Sequence, residues 1–446
     1  MEVILSQAEL IKKSVADDTR DHLRAIVGLA HVLHETSDTA GYLTDWTGQF
    51  SSKALAVVRP ASTSQLSQIV QYCNANGIAV VPQGGGTGLC GGGVPIDGRP
   101  SVVLSLTRMN ALRNFDLAGR TIVVEAGMVL ETLHLSIEAV MPDGSVINAL
   151  TGLRKDNTGY DIKDLLIGAE GTLGVITAAV FKLFQQPTNR VTAFLSVASL
   201  SAATEVLNRL QDHTGSAVEA FEYMPQHAID VICCQFPDIR RPLAEHTECG
   251  ILVEVASSRA IDARELPDGG SQLSDEVMTL LGDLMESGLV LDAMIAQSEK
   301  QRADLWHMRE SILEAITANG PAYHLDISLP LSRVADFVGE MDQTSAKLGF
   351  QPITVGHLGD GNLHYALTPA PDREWSTLPL EAAKKAAFDL LGRLNGSFSA
   401  EHGIGQSKLA VMTTLKEPSQ LAVMRAIKTA LDPNNIMNPG KLVPDV

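Results

Sequence analysis

His357 and His364 flank an Asp-Gly pair in the stretch Gly356-His357-Leu358-Gly359-Asp360-Gly361-Asn362-Leu363-His364-Tyr365. Asp-Gly between apolar residues is a strong short signal for a two-residue hairpin turn, because both central positions need φ > 0. With Asp360 and Gly361 as the turn, Leu358 faces Leu363 and His357 faces His364, which sets two imidazoles on one face with Cβ atoms roughly 4.5–5.5 Å apart. That spacing suits chelation of Zn²⁺ or another divalent first-row metal, and two imidazoles need a further ligand. Ser399-Ala400-Glu401-His402-Gly403-Ile404-Gly405 offers a carboxylate and a third imidazole. The alternative is a pair of core histidines bonded to backbone; a second Glu-His loop closed by glycines favours the metal.

A second chemical signal is Pro82-Gln83-Gly84-Gly85-Gly86-Thr87-Gly88-Leu89-Cys90-Gly91-Gly92-Gly93. Gly86-x-Gly88-x-x-Gly91 matches a dinucleotide fingerprint, but that fingerprint requires its last glycine to open a helix, and Gly92, Gly93 and Pro95 argue against one. Successive backbone N–H groups in such a loop can still form an anion nest, so pyrophosphate binding survives while Rossmann-type binding does not.

These residues must be positioned by a large scaffold. A chain of 446 residues implies two or three domains. Hydrophobic content of 45% and a mean hydropathy of +0.09 describe a globular protein, and the net charge of −18 argues against nucleic acid or an anionic membrane as partner. Five cysteines without CxxC spacing indicate neither a disulfide framework nor a metal module, and fit a reducing cytoplasm. Neither a signal sequence nor an 18-residue apolar run is found, so no integral membrane segment is expected.

Along the chain, Ala8–Val15 and Leu23–Ile26 show helical spacing. Ala54–Val58, a helix capped by Ser62 and Gln65 and ended by Gly77, and Ile78–Val81 form a strand–helix–strand unit leading into the glycine loop. Strands Val102–Leu106 and Thr121–Glu125 follow, then a helix from Val129 that runs toward Met141 without a stop signal. Met141-Pro142-Asp143-Gly144-Ser145-Val146-Ile147 reads as strand, turn and strand, so this junction predicts a break in the chain at Ile137 to Met141 with a segment missing. After Pro187, strands alternate with amphipathic helices, which predicts an antiparallel sheet covered by helices on one side. Ser298–Asn319 reads as one helix carrying Arg309, and Tyr323–Leu329 as a strand carrying His324 and Asp326.

Taken together, the glycine loop, Gly168-x-Glu170-Gly171-Thr172-Leu173-Gly174, the histidine hairpin, the Glu401-His402 loop and Asn438-Pro439-Gly440-Lys441 resemble the FAD-linked 2-hydroxy-acid dehydrogenases. These are of the vanillyl-alcohol-oxidase type, in the branch of D-2-hydroxyglutarate dehydrogenase, D-lactate dehydrogenase and the glycolate oxidase flavin subunit. The resemblance implies an α+β protein: an FAD-binding domain over 1–187, a ferredoxin-like substrate (cap) domain over 188–395, and a short helical return over 396–446. It implies cofactor contacts from Pro82, Gly84, Gly85, Gly86, Thr87, Gly88, Gly91, Gly92, Gly168, Glu170, Gly171, Gly174, Ile176 and Asn438. It also implies zinc on His357, His364 and Glu401, with His402 as base and Arg309 clamping the substrate carboxylate while hydride passes to flavin N5. The glycine loop holds no His or Tyr, which argues against covalent flavin attachment through it. The implied partners are a small 2-hydroxy acid, an electron acceptor such as a quinone or an electron-transfer flavoprotein, and a second copy in a homodimer.

Two departures stand out. Between Val129 and Met141 the family carries several dozen further residues, including another flavin-contacting stretch. In the pocket, Leu313 and His324 stand where hydroxyglutarate dehydrogenases have Thr and Lys, and Ala366 where they have Asn. These replacements count against D-2-hydroxyglutarate, so the implied substrate stays open among D-2-hydroxyglutarate, D-lactate and similar acids, with a glycolate oxidase flavin-subunit-like protein as the alternative within the family. Readings from other classes are a flavin-independent metal hydrolase using the same three ligands, and an inactive binding subunit.

Overall fold

The computed structural model describes residues 7–128, 134–153, 156, 158–267 and 270–444. The chain divides into two compact units, Met1–Phe184 with His402–Val446, and Gln185–Glu401.

In the first unit, β1 (Val32–Leu33), β2 (Ala56–Val58), β3 (Ala79–Gln83) and β4 (Ser101–Ser105) form a sheet in the order β1-β2-β4-β3. β2, β4 and β3 are parallel and β1 is antiparallel. The parallel strands read as near-continuous apolar runs because both of their faces are covered. The crossover helix Thr63–Ala75 starts at Ser62, whose side chain accepts from Gln65 N–H, and Gln65 Oε1 accepts in turn from Ala61 N–H. Its Leu66, Ile69, Val70 and Cys73 recur at helical spacing and are fully buried, each aliphatic side chain contributing about 1.5–3 kcal/mol relative to exposure. β3 therefore delivers the glycine loop at a fixed point.

A second sheet of this unit, in the order β5-β6-β9-β7-β8, comprises β5 (Leu112–Asp116), β6 (Thr121–Glu125), β7 (His134–Val140), β8 (Val146–Asn148) and β9 (Val175–Lys182). This corrects the reading of the junction. Residues 134–140 form a strand, and the expected break at Ile137 to Met141 is absent: Glu138, Ala139 and Val140 pair with Asn148, Ile147 and Val146. Pro142-Asp143-Gly144 closes the hairpin, with Gly144 at φ 85° and Met141 N–H donating to Ser145 O at 2.9 Å. The helix formers of this stretch are overridden by tertiary context. Ile137 and Ala139 join the apolar core, while Glu138, also buried, accepts from Arg113 at 2.9 Å and Thr177 at 2.8 Å. The start of the expected helix, 129–133, lies outside the described residues. The two short helices expected at the N-terminus are one, Gln7–Val27.

The second unit is one antiparallel sheet in the order β13-β10-β12-β11-β15-β16-β14. Its strands are β10 (Asn189–Val197), β11 (Val218–Met224), β12 (Cys249–Ser257), β13 (Val290–Ile295), β14 (Tyr323–Ser328), β15 (Phe350–His357) and β16 (Asn362–Pro369). Helices cover both faces, not one. Leu200–Thr214, Gln272–Glu286, Val334–Lys347 and Leu380–Arg393 pack on the face bearing Leu195, Ile251, Leu325 and Tyr365. Gln226–Gln235, Glu299–Glu310 and Ile312–Asn319 pack on the face bearing Phe194, Leu252 and Val355. The helix expected over Ser298–Asn319 is split at Ser311, whose hydroxyl donates back to His307 O at 2.6 Å, a bond that competes with helix continuation.

The histidine hairpin also differs from its expected register. Leu358-Gly359-Asp360-Gly361 is a four-residue connection, His357 pairs with Asn362, and Val355 pairs with His364. The histidines are therefore diagonal neighbours rather than directly opposite. They stay on one face because the register moved by two residues; a slip of one would have separated them. Gly361, at φ 79°, closes the connection so tightly that a Cβ there would meet Leu329 O at 2.1 Å. Gly361→Ala is expected to lower stability by about 2 kcal/mol or more. A lower urea midpoint at unchanged slope would register the loss, and an unchanged midpoint would contradict the tight approach.

No helix among the described residues is long and apolar enough to cross a membrane.

Candidate active site

In the second unit, Glu401 reaches the hairpin along β14. Ser397 and Ser328 exchange backbone hydrogen bonds, Ala400 N–H donates to Asp326 O at 3.3 Å, and Glu401 N–H donates to Asp326 Oδ2 at 3.0 Å. The carboxylate then faces both imidazoles: His357 Nε2 lies 3.8 Å from Glu401 Oε1, and His364 Nε2 lies 3.9 Å from Glu401 Oε2. One ligand atom from each of the three residues falls within 4.8 Å of the others. The separations of 3.8 and 3.9 Å are a few tenths of an ångström wider than the roughly 3.3–3.6 Å between donors of a tetrahedral site.

The other ring nitrogens are backed by carboxylates. His357 Nδ1 is 3.0 Å from Glu222 Oε1, and Glu222 Oε2 accepts from Arg309 Nε at 2.9 Å. Asp326 Oδ1 lies 3.8 Å from His364 Nδ1. The hydrogen bond to Glu222 fixes the His357 tautomer that leaves Nε2 free to ligate, whereas Asp326 stands too far from His364 Nδ1 for a hydrogen bond. The hydrogen bond to Glu222 also raises the His357 pKa above that of an ordinary imidazole, although burial opposes the shift. The donor set therefore fits a divalent first-row metal: two imidazoles, one carboxylate, and a hydrogen-bonded carboxylate behind His357.

Arg309, expected as a carboxylate clamp, is buried with Nε committed to Glu222, while its Nη2 is buried without a partner. His324 is exposed on β14, paired with Ala366. His402 is half-buried and follows Glu401 where the chain passes back into the first unit. Sequence reasoning missed Glu222. Its signal was an acid inside the apolar strand Phe221-Glu222-Tyr223-Met224, where a lone charge needs a buried partner.

In the first unit, Gly84 to Gly88 is exposed after β3, and none of the N–H groups from Gly84 to Gly93 donates to another described group. Adding a Cβ at Gly84, Gly85 or Gly88 would meet nothing within 4 Å. Unpaired, accessible N–H groups in series are what a pyrophosphate requires. At the end of β3 that leads into the loop, Pro82 lines a cavity of about 420 Å³ together with Gly168, Glu170, Gly171, Gly174 and Ile176.

Asn438, at φ 39°, ties the walls together: its Nδ2 donates to Gly92 O at 3.0 Å and Glu170 O at 2.7 Å, and its buried Oδ1 has no partner. The Glu170 carboxylate accepts from the N–H groups of Ile404 and Gly405 at 2.7 and 2.8 Å. A peptide nest, an adjoining cavity and an orphaned amide oxygen fit a dinucleotide cofactor. Thr87 belongs to the exposed loop, and Gly91 and Gly92 close it.

Comparison with known proteins agrees. Residues 54–140 match the family described as "FAD binding domain" and residues 186–442 match "FAD linked oxidases, C-terminal domain". The fold is that of the vanillyl-alcohol-oxidase type: p-cresol methylhydroxylase superposes with a TM-score of 0.72 at 14% identity over 99% of this chain and 98% of the other, and alkyldihydroxyacetonephosphate synthase with 0.67 over 95% and 84%. This chain belongs to the FAD-linked oxidases, an oxidoreductase family. Among curated relatives, a probable mitochondrial D-2-hydroxyglutarate dehydrogenase of Oryza sativa subsp. japonica is 32% identical over 96% of this chain and 82% of its own length. A putative mitochondrial D-lactate dehydrogenase of Schizosaccharomyces pombe is 30% identical over 92% and 85%. The rice alignment spans 475 positions, whereas 96% of 446 residues is about 428, so about 47 aligned positions have no counterpart here.

If Glu222 orients His357 toward a metal, Glu222→Gln should weaken Zn²⁺ binding to the metal-free protein by about 10-fold or more, as loss of such a partner generally does. Competition against a chromophoric chelator measures it. Unchanged affinity would show that His357 needs no partner behind it.

Proposed function

We propose that this protein oxidises a D-2-hydroxy acid to the 2-oxo acid, with FAD on the first unit and zinc, or a similar divalent metal, on His357, His364 and Glu401. What carries the reading is the pair of imidazoles turned to one carboxylate, in a chain whose relatives are D-2-hydroxyglutarate and D-lactate dehydrogenases. Pyrophosphate would rest on the N–H groups of Gly84 to Gly92, and the 168–176 segment and Asn438 would line the remainder of the cofactor. The flavin supplies a two-electron acceptor, and the metal a Lewis acid for the hydroxyl oxygen.

The side chains do the rest. Glu222 keeps the His357 ring oriented, and Asp326 holds the Glu401 backbone in place. Arg309 Nη2, left over from the pair with Glu222, receives the substrate carboxylate and fixes which face of C2 is presented. His402 takes the hydroxyl proton as general base. His324, exposed on β14 beside Ala366, suits the far end of the acid, so the side chain at C3 is where D-lactate and D-2-hydroxyglutarate would be told apart.

Dye reduction with a panel of D- and L-2-hydroxy acids tests the proposal. Turnover of D acids by protein showing flavin absorbance supports it. Colourless protein that hydrolyses esters with added Zn²⁺ would favour the metal-hydrolase reading. His402→Ala is expected to lower kcat by about 10²–10⁴-fold while flavin and metal content stay unchanged. Retained kcat with a raised KM would make His402 a binding residue only.

A further inference from the structure

We propose that the first unit carries a separate site for a small oxyanion, phosphate or a carboxylate, in a cavity under the segment that follows helix Pro418–Leu431. The cavity is about 230 Å³, and Arg425, Lys428, Asp432 and Lys441 are among the residues lining it. That is small for an organic cofactor and ample for an oxyanion with a few waters.

The charges here do not balance. Lys428 is fully used: Nζ donates to Asp432, to Thr172 O at 2.8 Å and to Met437 O at 2.7 Å. Asp432 is equally committed, accepting also from the N–H groups of Ile436 and Met437 at 3.0 and 2.8 Å. Lys441 is not matched in this way. The residue is 2% exposed, its Nζ has one long contact, 3.5 Å to Pro439 O, and it forms no ion pair among the described residues. Burial pushes its pKa down to about 8, with Glu170 acting against the shift, so the ammonium remains mostly protonated at neutral pH. Arg425, half-buried, uses Nε on Pro444 O at 3.2 Å and has no acidic partner among the described residues.

Two cations that form no ion pair among the described residues thus line one cavity, whose one lining carboxylate, Asp432, is committed to Lys428. A buried ammonium needs a counterion or must lose its proton. An oxyanion between Arg425 and Lys441 supplies the missing charge, with the guanidinium fork suited to two of its oxygens. Thr172 and Asn438, both discussed for the cofactor, line this cavity, but no residue lines both it and the cavity at Pro82, so the two are separate spaces. The inference does not rest on the proposed oxidation.

Thermal unfolding of the full-length, flavin-loaded protein in increasing inorganic phosphate, with sodium chloride holding ionic strength constant, is the test, and malonate replaces phosphate in a second arm. A saturable rise in midpoint with either anion is expected, the tighter one identifying the ligand class. Arg425→Gln and Lys441→Met should each weaken the effect at least 10-fold, and a chain ending at Pro444 should retain it. Arg425→Gln keeps the test valid if Lys441→Met fails to fold. The proposal is overturned by a midpoint that follows ionic strength alone, by equal anion affinity in Arg425→Gln, or by release of flavin on adding phosphate. Anion binding confined to the shortened chain would also overturn it, because the tail would then be the occupant.

Discussion

Glu222 carries its charge inside a sheet, and the second unit is arranged around making that tolerable. A carboxylate with a side chain only 6% exposed must be paired or neutralised. Arg309 comes from helix Glu299–Glu310 on the covering layer, and His357 from the adjacent strand β15. One buried charge therefore docks a helix and orients a ring. Glu254 repeats the device on β12, accepting from Trp306 Nε1 at 3.0 Å and Thr192 Oγ1 at 2.8 Å, with Arg190 and Arg302 each 3.4 Å away. Hydrogen bonds from Trp306 and Thr192 and the two guanidinium charges hold the Glu254 pKa low despite burial, which alone would raise it. Electrostatics of this kind fix where a helix lies on a sheet more narrowly than apolar contact alone.

The first unit solves a different problem, holding glycine-rich backbone still without filling the space a cofactor needs. Close contacts do this. A Cβ on Gly171 would fall 2.8 Å from Pro82 Cγ, and one on Gly405 would fall 2.0 Å from Cys90 O. Gln406 Nε2 donates to Gly91 O at 2.8 Å and to Val94 O at 3.2 Å. The loop's flanks are thus pinned while Gly84 to Gly88 remain open, which limits the entropy lost when a ligand orders them.

What could be read in the sequence was local. The cap of Ser62 and Gln65, the strand before the glycine loop and the shared face of His357 and His364 each follow from a few neighbouring residues and their turns, whereas Glu401 as their companion came from the family resemblance. The hairpin register could not be read, since an Asp-Gly pair serves a two-residue turn and a four-residue connection alike. The face survived the error because only an odd shift exchanges faces. At 134–140, helix formers concealed a period of two whose polar members, Ser136 and Glu138, are themselves buried. Amphipathic helices show that one side is covered and not which face of the sheet does the covering, so the second layer of helices was invisible. Glu222 gave no motif at all; its partners lie 87 and 135 residues away.

Asn438 and Gly92 are 346 residues apart, and the whole second unit is threaded between the strands of the first and the segment that locks them. Val80 on the edge strand β3, paired on one side with Val102 of β4, acquires its outer neighbour only when Met437 arrives. On a ribosome adding roughly 5–20 residues per second, the edge and the glycine loop wait roughly 20–70 s for that partner. The second unit emerges in one piece and can fold meanwhile, while the first must hold an unpaired edge for that interval. Assembly of the cofactor cradle is therefore late relative to the folding of the second unit. A chain stopped short of Asn438 would retain His357, His364 and Glu401 and lack the clamp that joins its two glycine loops.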